Sequence, residues 1–282
     1  MREAQPSRTA MRVAMRRAAH QLFDRPLVLD DPLAVRIIGD EAVARLQGDP
    51  GAESRRFQRS LRAFLVARSR VAEDALARAV SRGTAQCVVL GAGLDTFAYR
   101  NPHPLLRVFE VDFPATQAWK RHRLHAAGIG VPDSLTFAPI DFEHQTLADG
   151  LALAGFDAHA PTFFSWLGVT MYLTEDAIAS TLDVIAATPE GGGLVFDYAV
   201  PRNSLGFLER LVFDAIAGRV AKPGEPFVTF FDPAGVRTRL APLGLTVVDD
   251  LDRDSLNERY FRDRDDSLRV SGQLARVLDA ER

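Results

Sequence analysis

The sequence predicts an α/β fold, a doubly wound, mostly parallel sheet preceded by a helical segment. Helical periodicity dominates residues 10 to 80, and at Gly83 it gives way to short apolar runs separated by helical stretches. The first of those runs, Ala85 to Leu90, is nearly continuous and bounded by glycines, the pattern of a strand buried on both faces. Strands that alternate with helices assemble into parallel sheets with helices on their faces.

The elements follow in chain order. Val13, Ala14, Arg17 and Ala18 mark a first helix, followed by a loop at Pro26. Asp31-Pro32 starts a second helix, with proline at the first helical position. Gly48-Asp49-Pro50-Gly51 reads as a turn, and Phe57, Leu61, Phe64, Leu65, Val71, Leu76 and Val80 carry a long helix from Phe57 to Val80. After Ala85 to Leu90, strands are expected at Arg107 to Val111, Leu135 to Pro139, Thr162 to Leu167, Gly193 to Tyr198 and Leu245 to Val248. Helices are expected at Ala115 to Ala127, Thr146 to Ala152, Glu175 to Ala187 and Pro233 to Leu240. Thr174 suits the N-cap of the third of these, with Glu175 and Asp176 complementing the helix dipole. Residues 1–82 thus read as a helical cap and 83–282 as an α/β core within one domain, because Gly191-Gly192-Gly193 looks like a turn and not a linker.

Composition excludes several classes. The 282 residues are 47% hydrophobic and 25% charged, an ordinary globular balance. A net charge of −3 leaves no basic excess for nucleic acid or an anionic membrane surface. Lysine occurs only at Lys120 and Lys222, and arginine is spread along the chain. The single cysteine, Cys87, permits no intrachain disulfide, which points to a cytoplasmic protein; it lies in an apolar run and reads as a small buried hydrophobe. The Arg- and Ala-rich start lacks the apolar region of a secretory signal, and the most apolar stretch, Ala160 to Leu173, is too short and interrupted to span a bilayer.

In open α/β sheets ligands bind beyond the carboxyl ends of the strands, at the topological switch point. The first strand runs into Gly91-Ala92-Gly93-Leu94-Asp95-Thr96. Gly91 and Gly93 permit a tight turn and close approach of a ligand, although a simple strand-exit turn reads the same way. The third glycine of a dinucleotide fingerprint falls on Thr96, which argues against a pyrophosphate cofactor such as NAD or FAD. Glu110-Val111-Asp112 ends the second strand, where a carboxylate can accept both ribose hydroxyls or, more simply, stand at a solvated strand end. At the third exit, Asp141 could bond an adenine amino group while Phe142 packs on the ring; alone, Asp141 reads as a helix cap. The fourth exit, Ser165 to Leu173, is aromatic-rich and either lines the meeting point of cofactor and acceptor or packs the core. The glycine turn and the acidic strand end together indicate a nucleoside-containing cofactor. A metal site is not expected: His122 and His125 share a predicted helix with Arg121 and Arg123, which suggests a solvated face. No Gly-x-Ser-x-Gly elbow supports nucleophilic hydrolysis.

The run Gly91 to Thr96, with Tyr99-Arg100 and Phe109-Glu110-Val111-Asp112-Phe113-Pro114, resembles the leucine carboxyl methyltransferase family, which also includes polyketide O-methyltransferases of the tetracenomycin type. The similarity extends through Asp141-Phe142, Gly168 to Leu173, Phe196-Asp197-Tyr198, Gly224-Glu225-Pro226-Phe227 and Leu243-Gly244-Leu245, and upstream to Arg17-Ala18, Asp31 to Ala34 and Ala67-Arg68. The resemblance implies a class I methyltransferase (Rossmann-like) fold with S-adenosyl-L-methionine as methyl donor. It implies that Arg68 holds the methionine carboxylate, that Gly91, Ala92, Gly93 and Asp95 lie against the methionine and ribose portion, and that Asp112, with Glu110 as a weaker candidate, binds the ribose. Asp141 and Phe142 would hold the adenine, and Arg17 would reach the site from the cap. Many members carry Glu where this chain has Leu167, near the methyl-transfer end, a departure that bears on the acceptor chemistry.

The expected activity is O-methylation of a carboxylate or hydroxyl, on a small molecule or on a protein carboxyl terminus. A carboxylate acceptor needs no base, being ionised at neutral pH. A hydroxyl can need one; Tyr172 and His20 are conceivable, though packing roles suit both. The rival readings are a non-catalytic protein that retained cofactor binding, kept open by Leu167, and a nicotinamide-dependent oxidoreductase, opposed by Thr96. The cap and the segment at about 201–226 are expected to shape the acceptor pocket.

Overall fold

The computed structural model describes residues 8–282 apart from 143, 208, 212 and 215–226. Five helices come first: α1 (Arg8–Phe23), α2 (Leu33–Ile38), α3 (Asp40–Gly48), α4 (Pro50–Ser54) and α5 (Arg56–Ser81). The core then runs β1 (Gln86–Leu90), β2 (Arg107–Asp112), α6 (Pro114–Ala126), β3 (Leu135–Pro139), α7 (Leu147–Leu153), β4 (Thr162–Trp166), α8 (Glu175–Ala186) and β5 (Gly193–Ala199). It closes with α9 (Pro233–Leu240), β6 (Thr246–Leu251), α10 (Arg253–Tyr260) and β7 (Ala275–Glu281).

The seven strands lie in the order β3-β2-β1-β4-β5-β7-β6. Pairs from β3 through β5 are parallel, and β7 runs antiparallel to both β5 and β6. The chain leaves β1 toward β2 and β3 and returns to β4 on the other side of β1, which sets the switch point between the carboxyl ends of β1 and β4. Every residue of β1 and of β5 is buried, which is why the first reads as an unbroken apolar run.

One face of the sheet packs against α5 through Ala63, Val66, Ala67, Val71 and Leu76 together with Cys87, Val108 and Phe163. The other face packs against α7 and α8 through Leu151, Ile178, Leu182 and Ile185. A smaller core joins α1 to α2 and α3 through Ala14, Ala18, Ile37 and Leu46 and reaches Leu94 in the turn after β1. Within the helical first third, α5 therefore lies along the sheet, and α1 to α3 share a core of their own.

Local signals explain most boundaries. Thr174 accepts from the Ala177 N–H and caps α8 as expected. Pro32 sits one position earlier than expected: it is the N-cap of α2, and Asp31 Oδ1 accepts from the Ala34 N–H at 3.2 Å. The turn at Gly48 to Gly51 is partly helical, because Asp49 caps α4. The single helix expected from Asp31-Pro32 to the turn at Gly48 is broken at Gly39, where φ is +76°, into α2 and α3, and α4, α10 and β7 were not expected from the sequence. β7 lacks an apolar signature since Arg276, Asp279 and Glu281 interrupt it, and its central position between β5 and β6 is made tenable by ion pairs from Arg276 to Asp250 and from Arg78 of α5 to buried Asp279. α10 has little apolar face, with Leu256 its buried residue.

Candidate functional site

The turn after β1 needs bare backbone at Gly91 and is held by neighbouring side chains. Gly91 has φ +66°, and a Cβ there would collide with the Val169 side chain of the β4 exit. The two exits flanking the switch point are thus in contact. Asp112, at the end of β2, receives the Gly93 N–H at 2.5 Å on Oδ2 and the Phe113 N–H at 2.7 Å on Oδ1. The Ile140 N–H bonds the Asp112 carbonyl at 3.0 Å, which brings the β3 exit alongside. Burial raises the Asp112 carboxyl above its ordinary value, against the pull of the two N–H donors.

Asp141 and Phe142 follow at the β3 exit. The Asp141 carbonyl accepts the N–H groups of His144 and Gln145, both at 2.9 Å, and the Phe142 ring is 59% exposed, an open apolar face beside the carboxylate. Ala92 is buried, and its N–H bonds the Val111 carbonyl at 3.0 Å.

Glu110 lies on the same strand face as Asp112 but is enclosed. Its Oε2 lies 2.7 Å from Lys120 Nζ and accepts the Tyr99 hydroxyl at 3.2 Å. Burial pushes the Glu110 carboxyl up to about 7, although the Lys120 ammonium opposes the shift. Glu110 is thus occupied by a pair within the core.

Asp95 is committed to the protein as well. Oδ1 accepts the Phe97 N–H at 2.7 Å and Oδ2 pairs with Arg17 Nη1 at 3.0 Å. Arg17 also grips fully buried Asp31 with Nε at 2.9 Å, and it bonds the Thr96 hydroxyl. Thr96, standing where a dinucleotide fingerprint has glycine, donates to Asp31 Oδ1 at 2.6 Å. Arg100 joins from the other side, 3.3 Å from Asp31 and 2.8 Å from Glu73. Burial opposes ionisation of Asp31, but the guanidinium groups of Arg17 and Arg100 hold it below its ordinary value. Arg17 therefore fastens α1 onto the glycine turn.

Arg68, on α5, reaches the β4 exit. Its Nη1 bonds Asp197 Oδ2 at 2.6 Å, and a Cβ on Gly168 would lie 2.9 Å from Nη2, so the guanidinium rests on bare backbone. The buried Nε has no acceptor. Leu167 is partly buried against the α5 face of the core and lines a small cavity with Ser69, Glu73, Asp95 and Ser165.

His20 is fully buried; Nε2 accepts the Val28 N–H at 3.0 Å, which leaves Nδ1 as the donor to Asp24 at 2.9 Å. It is a structural histidine. Cys87 is buried and free, and burial pushes its thiol up. Sequence reasoning missed Asp197 as a site residue; its signal was an acidic residue inside an otherwise apolar fifth strand. Among the described residues, no group of three or more His, Cys, Asp or Glu side chains is placed to hold a metal, and no helix is long and apolar enough to cross a membrane. Of the segment 201–226, residues 208, 212 and 215–226 lie outside the described residues.

Comparison with known proteins bears on the family and the fold. The family model for leucine carboxyl methyltransferase matches residues 10–186. YktD of Bacillus subtilis (strain 168), assigned by inference to the S-adenosyl-L-methionine-dependent methyltransferases, is 33% identical over 95% of each chain. A Frankia alni protein with the same assignment is 31% identical over 76% of this chain and 74% of its own. Among solved structures, a DUF574-family protein of Streptomyces avermitilis superposes with a TM-score of 0.57 at 15% identity, covering 95% of this chain and 97% of its own. A Thermobifida fusca protein assigned to the methyltransferases gives 0.58 at 16% identity, covering 96% and 94%. The last two likenesses concern the fold, and the first three establish kinship: the chain belongs to the leucine carboxyl methyltransferase family.

Proposed function

We propose that the protein transfers the methyl group of S-adenosylmethionine to an oxygen of a small-molecule acceptor, with a carboxylate favoured over a hydroxyl. The coarser part follows from family membership: it is a methyltransferase and its cofactor is S-adenosylmethionine. The residues fit that cofactor. Arg68 keeps a buried Nε without an acceptor, suited to the methionine carboxylate. Asp112 has spent only part of its acceptor capacity on backbone N–H groups, which leaves lone pairs for ribose hydroxyls. Gly91 and Gly93 supply the tight turn, with Val169 and Ala10 packed where their side chains would be, and exposed Phe142 offers a face for adenine beside Asp141.

When bound, S-adenosylmethionine supplies an already activated methyl group. The chain's task is to hold the acceptor oxygen in line with the methyl and keep water out. The observation that carries the preference for a carboxylate is how the nearby proton acceptors are used. His20 Nε2 is taken by the Val28 N–H, Asp95 by Arg17 and the Phe97 N–H, and Glu73 by Arg100. A carboxylate is ionised at neutral pH and needs none of them. Leu167 and Val169 at the β4 exit favour an acceptor with apolar surface next to the reacting group. A small-molecule acceptor is the primary reading and a protein carboxyl terminus the second, supported by the family's namesake activity.

The test uses methyl-labelled S-adenosylmethionine with a panel of carboxylic acids, phenols and alcohols. Label released as methanol by mild alkali marks a methyl ester and is the expected result. Alkali-stable label would move the reading to hydroxyl acceptors, and label on nitrogen, sulfur or carbon alone would reject O-methylation. Tight binding of S-adenosylhomocysteine without turnover on any acceptor would favour a non-catalytic binding role.

A further inference from the structure

We propose that Asp197 is a positioning residue, which sets Arg68 and the β4 exit turn in a fixed relation so that the amino-acid half of the cofactor is received in one orientation. The proposal rests on the reading of Arg68 as the carboxylate's partner.

Asp197 lies on β5, one residue beyond the Trp166–Phe196 pair that ends the β4–β5 ladder, and it is fully buried. All three of its oxygens are used, one by α5 and two by the β4 exit turn. Oδ2 accepts from Arg68 Nη1 at 2.6 Å, Oδ1 accepts from the Gly168 N–H at 2.5 Å, and the carbonyl accepts the Thr170 hydroxyl at 2.6 Å. One side chain thus ties α5 to the turn that follows β4. A buried ion pair of this kind is weak support for stability, because a well-packed apolar pair of equal volume often does as well. The geometry here does something an apolar pair cannot. Asp197 takes one end of the Arg68 fork and leaves the buried Nε without an acceptor. Gly168, with φ +75° and no side chain, lets the guanidinium lie against the backbone of the same turn. A long arginine chain fixed at one end pays less rotamer entropy when a ligand carboxylate engages the other. Because Leu167 and Val169 flank Gly168, the carboxylate that orients Arg68 through one oxygen holds the turn at the methyl-transfer end of the site through the other.

The test compares two ligands by titration calorimetry on the full chain. S-adenosylhomocysteine carries the amino-acid carboxylate, and 5′-methylthioadenosine shares the nucleoside and thioether but lacks it. Asp197→Ala is expected to weaken S-adenosylhomocysteine about tenfold or more, while 5′-methylthioadenosine changes less than about twofold. Asp197→Asn should fall between parent and Ala for S-adenosylhomocysteine, since its amide oxygen can accept only part of what the carboxylate accepts. It keeps the side-chain shape, and it decides the matter if the Ala variant fails to fold. Unchanged affinity for S-adenosylhomocysteine in a folded Asp197 variant would overturn the proposal. So would equal weakening of both ligands, the mark of a merely structural role. Arg68→Ala serves as the reference: it should abolish the preference for S-adenosylhomocysteine. If it retains that preference, the Arg68 assignment fails and this proposal fails with it. If it loses the preference while the Asp197 variants keep it, only the positioning role is lost.

Discussion

Asp112 combines two functions in one carboxylate. It anchors the glycine turn through the Gly93 N–H and, on the proposed reading, keeps acceptor capacity for the ribose at the carboxyl end of β2. Asp112→Ala is therefore expected to reduce affinity for S-adenosylhomocysteine by about 10- to 100-fold, the worth of charge-assisted bonds to two hydroxyls. Far-UV circular dichroism should stay unchanged, and calorimetry showing parental affinity would remove Asp112 from the site. The place of Asp112 beside the glycine turn was legible in the sequence, because an acidic residue at the second strand's end, about 20 residues past that turn, carries a spacing argument of its own. Glu110, two residues earlier, offers the same chemistry in sequence, yet a buried partner on helix α6, Lys120, takes up its charge. Thr96 shows the converse: in sequence it is a missing glycine, and in the fold its hydroxyl bonds Asp31.

Helix α1 is docked by an apolar core shared with α2 and α3 and, at Arg17, by buried charge. Arg17 and Asp31 are almost entirely shielded from solvent, with side-chain exposures of 4% and 0%. Removing the cation leaves buried Asp31 with only Arg100 and the Thr96 hydroxyl as partners, so Arg17→Ala should destabilise the protein by about 2–4 kcal/mol. Arg45→Ala breaks the i,i+4 pair with Glu41, whose side chains are 66% and 91% exposed, and should cost no more than about 0.5 kcal/mol. Chemical denaturation of the two variants checks the contrast; comparable losses would mean that the α1 network is not the latch described. Apart from α10, the helices and the parallel strands of the core were legible from period and caps. The strand β7 was not, because its charges are neutralised by residues far away in sequence, as Asp279 is by Arg78.

Across the whole molecule, pH acts on stability through enclosed carboxyls. Glu110 is raised from an ordinary 4.5 to about 7 by burial, against Lys120. Between those values the folded chain retains a proton that the unfolded chain releases, so this group's contribution to stability falls as pH rises and levels off above the folded value. Asp279, raised to about 6 by burial, acts in the same direction. Relative to Glu110→Gln, the parent should therefore lose thermal stability progressively from about pH 5 to about pH 7.5. Melting temperatures of both proteins across that range check the sign; a constant difference would show that Glu110 does not titrate there.

The sequence by itself determined the α/β class, the extent of most strands and helices, the family and its cofactor. These depend on local period, capping and short motifs, which are written contiguously in the chain. Only the tertiary structure decided which carboxylates are available to a ligand and which are spent inside the protein. Asp95 on Arg17, Glu110 on Lys120 and Asp197 on Arg68 are each paired across a separation that no motif encodes. The reason is physical: a buried charge is fixed by whatever partner the fold brings within hydrogen-bond distance, and that partner's place in the sequence is arbitrary.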